Sequence, residues 1–239
     1  MKKIVFTIFA TMFLLCGCNK TKQFEVTLNL SNADGKSVYL FKDVNGTETF
    51  VDSTVFVGEH AVLKAGFDDP QITYFIKFSP NDKCGIMPFF TENQNATITG
   101  DLNDMPHWIC EGCPTLNELN AYHQKNLTQF EDKIMALSAE VITAYAEGDT
   151  VKGAELNEQM MTLYYAYTEN NIEYIRSHPD SYLAHYLLST MMPEMELEQV
   201  KEVYDSFTSE SIYSKRVKEF IENDEVREKI IREAHSCNI

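Results

Sequence analysis

The apolar residues of this chain change their spacing once, near residue 112, and this change constrains the fold more than any other feature. Before residue 112 they alternate with polar residues, as in the stretch FEVTLNL at residues 24–30, whose apolar side chains share one face of a half-buried strand. After residue 113 they recur every three or four residues, which is typical of an amphipathic helix. The sequence therefore predicts an α+β protein with an antiparallel β-sandwich or open barrel at residues 24–112 and an all-α domain at residues 113–239.

Turn residues divide the first half into short strands. Asp34-Gly35 and Asn45-Gly46 are dipeptides that favour tight hairpin turns, and Gly58 and Gly66 fall at further turn or bulge positions. Seven or so short strands with regular turns are typical of a sandwich. The predicted strands are FEVTLNL, SVYLFK, TFVDSTVFV, AVLKAGF, ITYFIKF, GIMPFFT and NATITGDL.

The second half predicts a long αα-hairpin. One apolar stripe runs from Leu116 to Tyr145, Gly148 interrupts it, and a second stripe follows. Two helices joined by so short a break pack antiparallel. Pro179 then ends the second helix, Asp180 or Ser181 caps the next one, and shorter helices complete the chain.

The N-terminus has the layout of a secretory signal peptide. MKK is a short positive region, and an apolar stretch of about a dozen residues follows it. LCGC resembles the lipobox of bacterial lipoproteins, which implies cleavage before Cys18 and a lipid on its sulfur. We therefore expect a signal peptide at residues 1–17 and a lipidated tether at residues 18–23. The expected location is the cell envelope, at the outer membrane, facing the periplasm or the cell surface.

The charge balance excludes some partners. The chain has 20 basic and 36 acidic side chains, a formal net charge of −16. Loss of Lys2 and Lys3 with the signal peptide makes the mature chain about −18. Nucleic acids and anionic lipid surfaces are bound by clustered basic residues, so we expect neither as a partner. The expected partners are the membrane, through the lipid anchor, and an envelope protein or small ligand.

The stretch HWICEGCPT, residues 107–115, contains a Cys-x-x-Cys pair like that of a redox enzyme. A reactive first cysteine lies at a helix N-terminus, but here the helix begins at Pro114, so that Cys113, the second cysteine, lies at the helix start. Cys110 and Cys113 could instead form a short-loop disulfide, or either could pair with Cys84 or Cys237. One Cys-x-x-Cys without a second pair is a poor structural zinc site, and we expect no metal and no cofactor.

Several short motifs resemble a known family. They are GKSVYL, Asp52-Ser53-Thr54, VGEHAVLKAG, FFTENQNATITGD, Gly112 and NNIEYIRSHPDSYLAHYLL. The chain resembles the domain of unknown function, and the helical segment after it, that precede the thioredoxin-like domain in Gram-negative lipoproteins of the TlpA and peroxiredoxin-related kind. The residues given end at Ile239, where that domain would begin. The resemblance therefore implies the accessory part without the catalytic part.

Two functions follow as hypotheses. The first is a non-enzymatic, membrane-anchored lipoprotein that acts as an accessory or binding module. The second is a thiol-disulfide oxidoreductase, or its redox partner, that uses Cys110 and Cys113. No nucleophile signature accompanies His123, His178, His185 or His235, and we expect none of them to be catalytic. The Met160–Tyr167 stretch predicts either the core of the helical hairpin or an adhesive surface for a partner.

Overall fold

The computed structural model describes residues 22–44, 47–81 and 86–237. The strands are β1 (Gln23–Ser31), β2 (Ser37–Val44), β3 (Thr47–Val55), β4 (His60–Gly66), β5 (Thr73–Lys77), β6 (Ile86–Phe90), β7 (Ala96–Asp101) and β8 (Ile109–Glu111). The helices are α1 (Pro114–Asn126), α2 (Asp132–Ala146), α3 (Thr150–Ser177), α4 (Tyr182–Met191), α5 (Leu197–Tyr204), α6 (Ile212–Glu222) and α7 (Asp224–Cys237). A π-helical turn, Leu127–Glu131, joins α1 to α2.

The strands form two four-stranded sheets that do not close into a barrel. One sheet has the order β4-β1-β7-β8 and the other β3-β2-β5-β6. The alternation of β1 sends Phe24, Val26, Leu28 and Leu30 into the space between the sheets, where all four are buried. The predicted α+β class and open sandwich are confirmed.

The sandwich differs from the predicted antiparallel one at β1 and β7, which pair in parallel. The turn at Asp34-Gly35 predicts a hairpin of β1 and β2, but these strands lie in different sheets, so that prediction is wrong. β1 and β7 are about 70 residues apart, so no hairpin sets their direction. The sequence also misses β8, which pairs with β7. Only three residues long, β8 is too short to show a period. The predicted Asn45-Gly46 turn lies outside the described residues.

Trp108 closes one end of the core. It is fully buried, and its Nε1 donates a hydrogen bond to the carbonyl of Asp101 at 2.6 Å. The ring lies directly on Gly100 in β7: a Cβ atom at Gly100 would lie 2.3 Å from Cδ1 of the indole. The tryptophan that makes HWICEGCPT resemble a redox motif is therefore a structural residue of the sandwich.

The long helical hairpin is also confirmed. α1, the π-helical turn and α2 run on into one another, and α3 returns antiparallel after Gly148, whose φ of +83° suits glycine. Polar contacts join the two sides: the Tyr167 hydroxyl donates to Glu131 Oε1 at 3.0 Å, and the Tyr174 hydroxyl donates to Glu118 Oε1 at 2.5 Å. The hairpin is therefore held by partly buried hydrogen bonds as well as by apolar packing.

A second apolar core lies among the remaining helices. It is formed by Ile172 and Ile175 of α3, by residues of α4 and α5, and by Val217 and Phe220 of α6, with Ile230 of α7 beside them. Ser181 caps α4 by accepting a hydrogen bond from the N–H of Ala184. Asp180 is therefore not the cap. Among the described residues, no helix has the length and apolarity needed to cross a membrane.

The sandwich and the helices share an aromatic cluster, made of Phe90, Tyr182, Tyr186 and Tyr213. The ring of Phe90 at the end of β6 meets those of Tyr182 and Tyr186 edge to face, with centroids 5.1 and 5.3 Å apart. Cys113, Leu116 and Tyr213 belong to the same buried core as the strands. The change from strands to helices falls at residues 111–114, but the division into two domains at residue 112 remains a prediction.

We predict that Gly100→Ala lowers the free energy of unfolding by about 1–3 kcal/mol, the usual cost of overpacking a well-filled core. The added methyl group would overlap the indole of Trp108, which is buried and cannot retreat. Urea unfolding followed by tryptophan fluorescence measures the change. Gly66→Ala is the control, because a Cβ at Gly66 meets nothing within 4 Å. Equal stability of the two variants would contradict the packing that we describe.

Candidate binding groove and the cysteine pair

Cys110 and Cys113 lie at the junction between the sandwich and α1. Cys110 is in the middle of β8, and Cys113 is the N-cap of α1, as the position of Pro114 predicts. The Cys113 sulfur accepts a hydrogen bond from the N–H of Leu116 at 3.4 Å and donates one to the carbonyl of Phe90 at 3.6 Å. The sulfur thus links the end of β6 to the first turn of α1, and both of these hydrogen bonds suit a protonated thiol.

The environment of the two thiols opposes redox chemistry. Cys113 has no exposed surface and Cys110 is 2% exposed. Burial raises the pKa of Cys110 to about 12, and burial, aided by Glu92, raises the pKa of Cys113 to about 11. At neutral pH a thiol of pKa 11 is about one part in ten thousand thiolate, and the thiolate is the nucleophile. The stabilisation of a Cys113 thiolate by the N-terminus of α1 does not offset the cost of removing that charge from water.

The structure describes only some of the cysteines that were predicted to form disulfides or to carry a lipid. The sulfurs of Cys110 and Cys113 are not joined in a disulfide. Cys84, the side chain of Cys237 and the proposed lipidation site Cys18 lie outside the described residues. Disulfides that involve Cys84 or Cys237, and the lipid on Cys18, therefore stay predictions.

The histidines are bound into the structure. His185 is buried, its Nε2 donates to the carbonyl of Pro179 at 3.1 Å, and its Nδ1 lies 3.0 Å from Ser211 Oγ. Burial lowers the pKa of His185, so the ring is held neutral. His123 Nε2 donates to the carbonyl of Pro106 at 2.8 Å, and His178 stacks on Tyr174. The side chain of His235 lies outside the described residues.

Acidic groups near these histidines do not form a metal site. The ring of His107 lies between Asp104 and Asp132, at 2.7 and 3.4 Å, and the carboxylates raise its pKa. His123 Nδ1 is 3.9 Å from Glu131. Within the parts of the chain that the structure describes, no group of three or more His, Cys, Asp or Glu side chains could hold a metal ion.

The stretch Met160–Tyr167 was predicted to be either the core of the helical hairpin or an adhesive surface, and its side chains are found in both kinds of place. Tyr167 faces the hairpin interior, where its ring packs on Phe130 and its hydroxyl meets Glu131. Tyr164 and Tyr165, in contrast, are 45% and 63% exposed. The stretch is therefore hairpin core on one side and exposed aromatic surface on the other.

Sequence reasoning missed the groove that lies where the end of β2 meets α6 and α7. Its volume is about 440 Å³, within the range of small-ligand sites. Apolar side chains and charged side chains of both signs line it, and the charged ones come from four different turns of helix and from one strand. The lining residues are Asp43, Ile212, Tyr213, Lys215, Arg216, Glu219, Val226, Lys229, Ile230 and Glu233.

The position of the groove follows from the aromatic cluster. Tyr213 belongs to both, and its ring contacts those of Phe90, Tyr182 and Tyr186. Gln71, just before β5, accepts a hydrogen bond from the N–H of Ile212 at 3.3 Å. The first turn of α6 is thus fixed against the sandwich, and α6 forms one wall of the groove.

Comparison with known proteins identifies a family for most of the chain. The family model described as Domain of unknown function (DUF4369) matches residues 24–160. The match covers the whole sandwich together with α1 and α2, and it ends inside α3. The family domain therefore continues past the change of spacing near residue 112 and includes most of the helical hairpin. No curated protein and no solved structure matches the chain.

We predict that the protein does not reduce insulin disulfides faster than its Cys110→Ser, Cys113→Ser double variant, because the buried thiols supply almost no thiolate. Turbidity of reduced insulin measures the rate. Cys113→Ser provides a hydroxyl that can still cap α1, so the fold is expected to survive. Reduction by the unmodified protein that Cys113→Ser abolishes, with the helical spectrum unchanged, would establish the redox function instead.

Proposed function

Since the chain belongs to the DUF4369 family, whose function is unknown, we propose a function from the chemistry of its own residues. The protein is a lipid-anchored, non-enzymatic module of the cell envelope that binds a ligand in the groove between β2, α6 and α7. The observation that carries this proposal is the groove itself, a cavity lined by apolar and charged side chains at the junction of the sandwich and the helices.

The composition of the groove supports binding. Ile212, Tyr213, Val226 and Ile230 supply apolar surface, and the other six lining residues are charged. Ligand sites combine apolar surface with polar groups that fix orientation, and they often lie where two parts of a protein meet. The groove combines both kinds of side chain, with a larger charged share than is common, and it lies where β2 meets α6 and α7.

The charge distribution supports the same location. Residues 215–232 hold six of the chain's 20 basic side chains and five acidic ones, in a protein whose net charge is −16. The chain as a whole is strongly acidic, but α6 and α7 are close to neutral. A ligand with an anionic group would therefore meet less repulsion at this groove than the net charge of the protein implies.

The lipid anchor places this module at a membrane. The lipobox-like LCGC supports acylation at Cys18, and the polar stretch after it is a tether of the flexible type. We place the protein at the outer membrane, facing the periplasm or the cell surface. The motifs that resemble those of thioredoxin-type lipoproteins suggest that it corresponds to their accessory part.

Replacement of Cys18 by Ala is predicted to move the protein from the membrane fraction to the soluble fraction, because the acyl chains that hold it are lost. Fractionation and mass spectrometry of the native and variant proteins measure this change. Cys16→Ala is the control, since Leu15 before Cys16 is too large for the cleavage site. Membrane association of Cys18→Ala that only detergent reverses would show that the anchor lies elsewhere.

We predict that Val226→Trp prevents ligand binding in the groove, because the indole would occupy the cavity that the half-buried Val226 lines. The full chain with Cys18→Ala is incubated with an extract of the cell envelope, and native mass spectrometry detects any bound molecule. Val151→Trp is the matched control, since Val151 is 70% exposed on α3 and does not line the groove. If neither Val226→Trp nor Val151→Trp carries a bound molecule, or if both carry the same one, the groove has no binding function of this kind.

A further inference from the structure

Arg216 is the half-buried cation of the groove. Ion pairs among the described residues of α6 and α7 join Lys218 to Glu222, Arg227 to Asp224, Lys229 to Glu233 and Arg232 to Glu228. Arg216 takes part in none of these pairs. A guanidinium that has lost part of its water and has no carboxylate partner in the described residues is prepared to bind an anion.

Both aromatic and charged groups surround Arg216. Burial raises the pKa of Tyr186 and of Tyr213, the positive charge of Arg216 acts in the opposite direction on both, and Asp43 raises the pKa of Tyr213. Arg216 lines the groove together with the apolar side chains of Ile212, Tyr213, Val226 and Ile230. A ligand held by Arg216 would therefore also reach apolar side chains.

We propose that the groove binds an amphiphilic carboxylate, with the carboxylate held by Arg216 and the apolar group lying on Ile212, Tyr213, Val226 and Ile230. This inference rests on the proposed function, because it assigns a ligand class to the same groove. Guanidinium and carboxylate match as two parallel hydrogen bonds, a geometry that lysine cannot provide.

The charges that line the groove limit the charge of the ligand. Three acidic side chains, Asp43, Glu219 and Glu233, balance the three basic ones, and Lys229 is paired with Glu233. Because the lining is close to neutral, a second negative charge on the ligand gains little net attraction to offset its loss of water. An uncharged ligand of the same shape would leave Arg216 without an anion. A monocarboxylate therefore fits the balance of charges.

Two kinds of molecule carry this chemistry: a fatty acid, and a peptide with an apolar C-terminal residue and a free carboxylate. The probes are octanoate and octan-1-ol for the first kind. For the second kind they are acetyl-Ala-Ala-Leu with a free C-terminus and the same peptide as its C-terminal amide. The N-acetyl group removes the ammonium, so that each pair of probes differs only in the anionic group.

Binding is measured by titration calorimetry on the full chain with Cys18→Ala, at low salt. We expect at least one anionic probe to bind about tenfold or more tightly than its neutral counterpart, as charge-assisted hydrogen bonds allow. Arg216→Gln should remove this difference, and Arg216→Lys should retain only part of it. Lys218→Gln is the matched control, because it removes one charge from the same helix outside the groove and should change affinity less than twofold.

The outcomes separate the sources and test the proposal. A preference confined to octanoate assigns a fatty acid, and one confined to the free peptide assigns a peptide C-terminus. Equal binding of anionic and neutral probes, equal losses in Arg216→Gln and Lys218→Gln, or no binding of any probe at millimolar concentration would overturn the carboxylate site. If Val226→Trp still abolishes binding of an envelope molecule, the groove keeps its binding function and only the ligand class is wrong.

Discussion

The packing of Phe90 against three tyrosines is the interaction on which the arrangement of the protein depends. An edge-to-face contact with Phe90 partly buries the rings of Tyr182 and Tyr186, and a tyrosine hydroxyl in such a place needs a hydrogen-bond partner. The Tyr182 hydroxyl donates a hydrogen bond to the backbone carbonyl of Gln71, and the Gln71 side chain accepts one from the N–H of Ile212. A single residue before β5 thus fixes both α4 and α6. Because Tyr213 continues from this cluster into the groove, the cavity is a consequence of how the helices attach to the sheet.

A second constraint acts within the hairpin of α1, α2 and α3. Apolar stripes specify that two helices pack, but they tolerate sliding by one turn. The hydrogen bonds from Tyr174 to Glu118 and from Tyr167 to Glu131 join specific positions on the two sides. A register shifted by one turn would separate these partners, and each lost hydrogen bond costs about 0.5–1.5 kcal/mol. The family match ends at residue 160, so that it includes both glutamates but neither tyrosine.

Local patterns were sufficient for most elements and failed where distant residues meet. The alternation of β1, the break at Gly148 and the cap of α1 at Cys113 were predicted, because each depends on neighbours in sequence. The parallel pairing of β1 with β7 was not, since no local signal sets the direction of strands so far apart. The groove was missed for the same reason: Asp43 and Arg216 are brought together only by the attachment of α6. The one available signal was the concentration of basic residues at 215–232 in an acidic chain.

The cysteine pair shows why composition at a motif does not determine its chemistry. A helix N-terminus favours a thiolate by fractions of a kcal/mol to about 2 kcal/mol, whereas removal of a charge from water costs several. At Cys113 the second effect wins, because the sulfur lies between the end of β6 and the first turn of α1 and is covered on all sides. Arg216 has the opposite balance. It is only half-buried, in a groove lined by apolar and charged side chains, so that its guanidinium keeps part of its water. Partial exposure is thus the property for which we propose Arg216, and not Cys113, as a ligand-binding side chain.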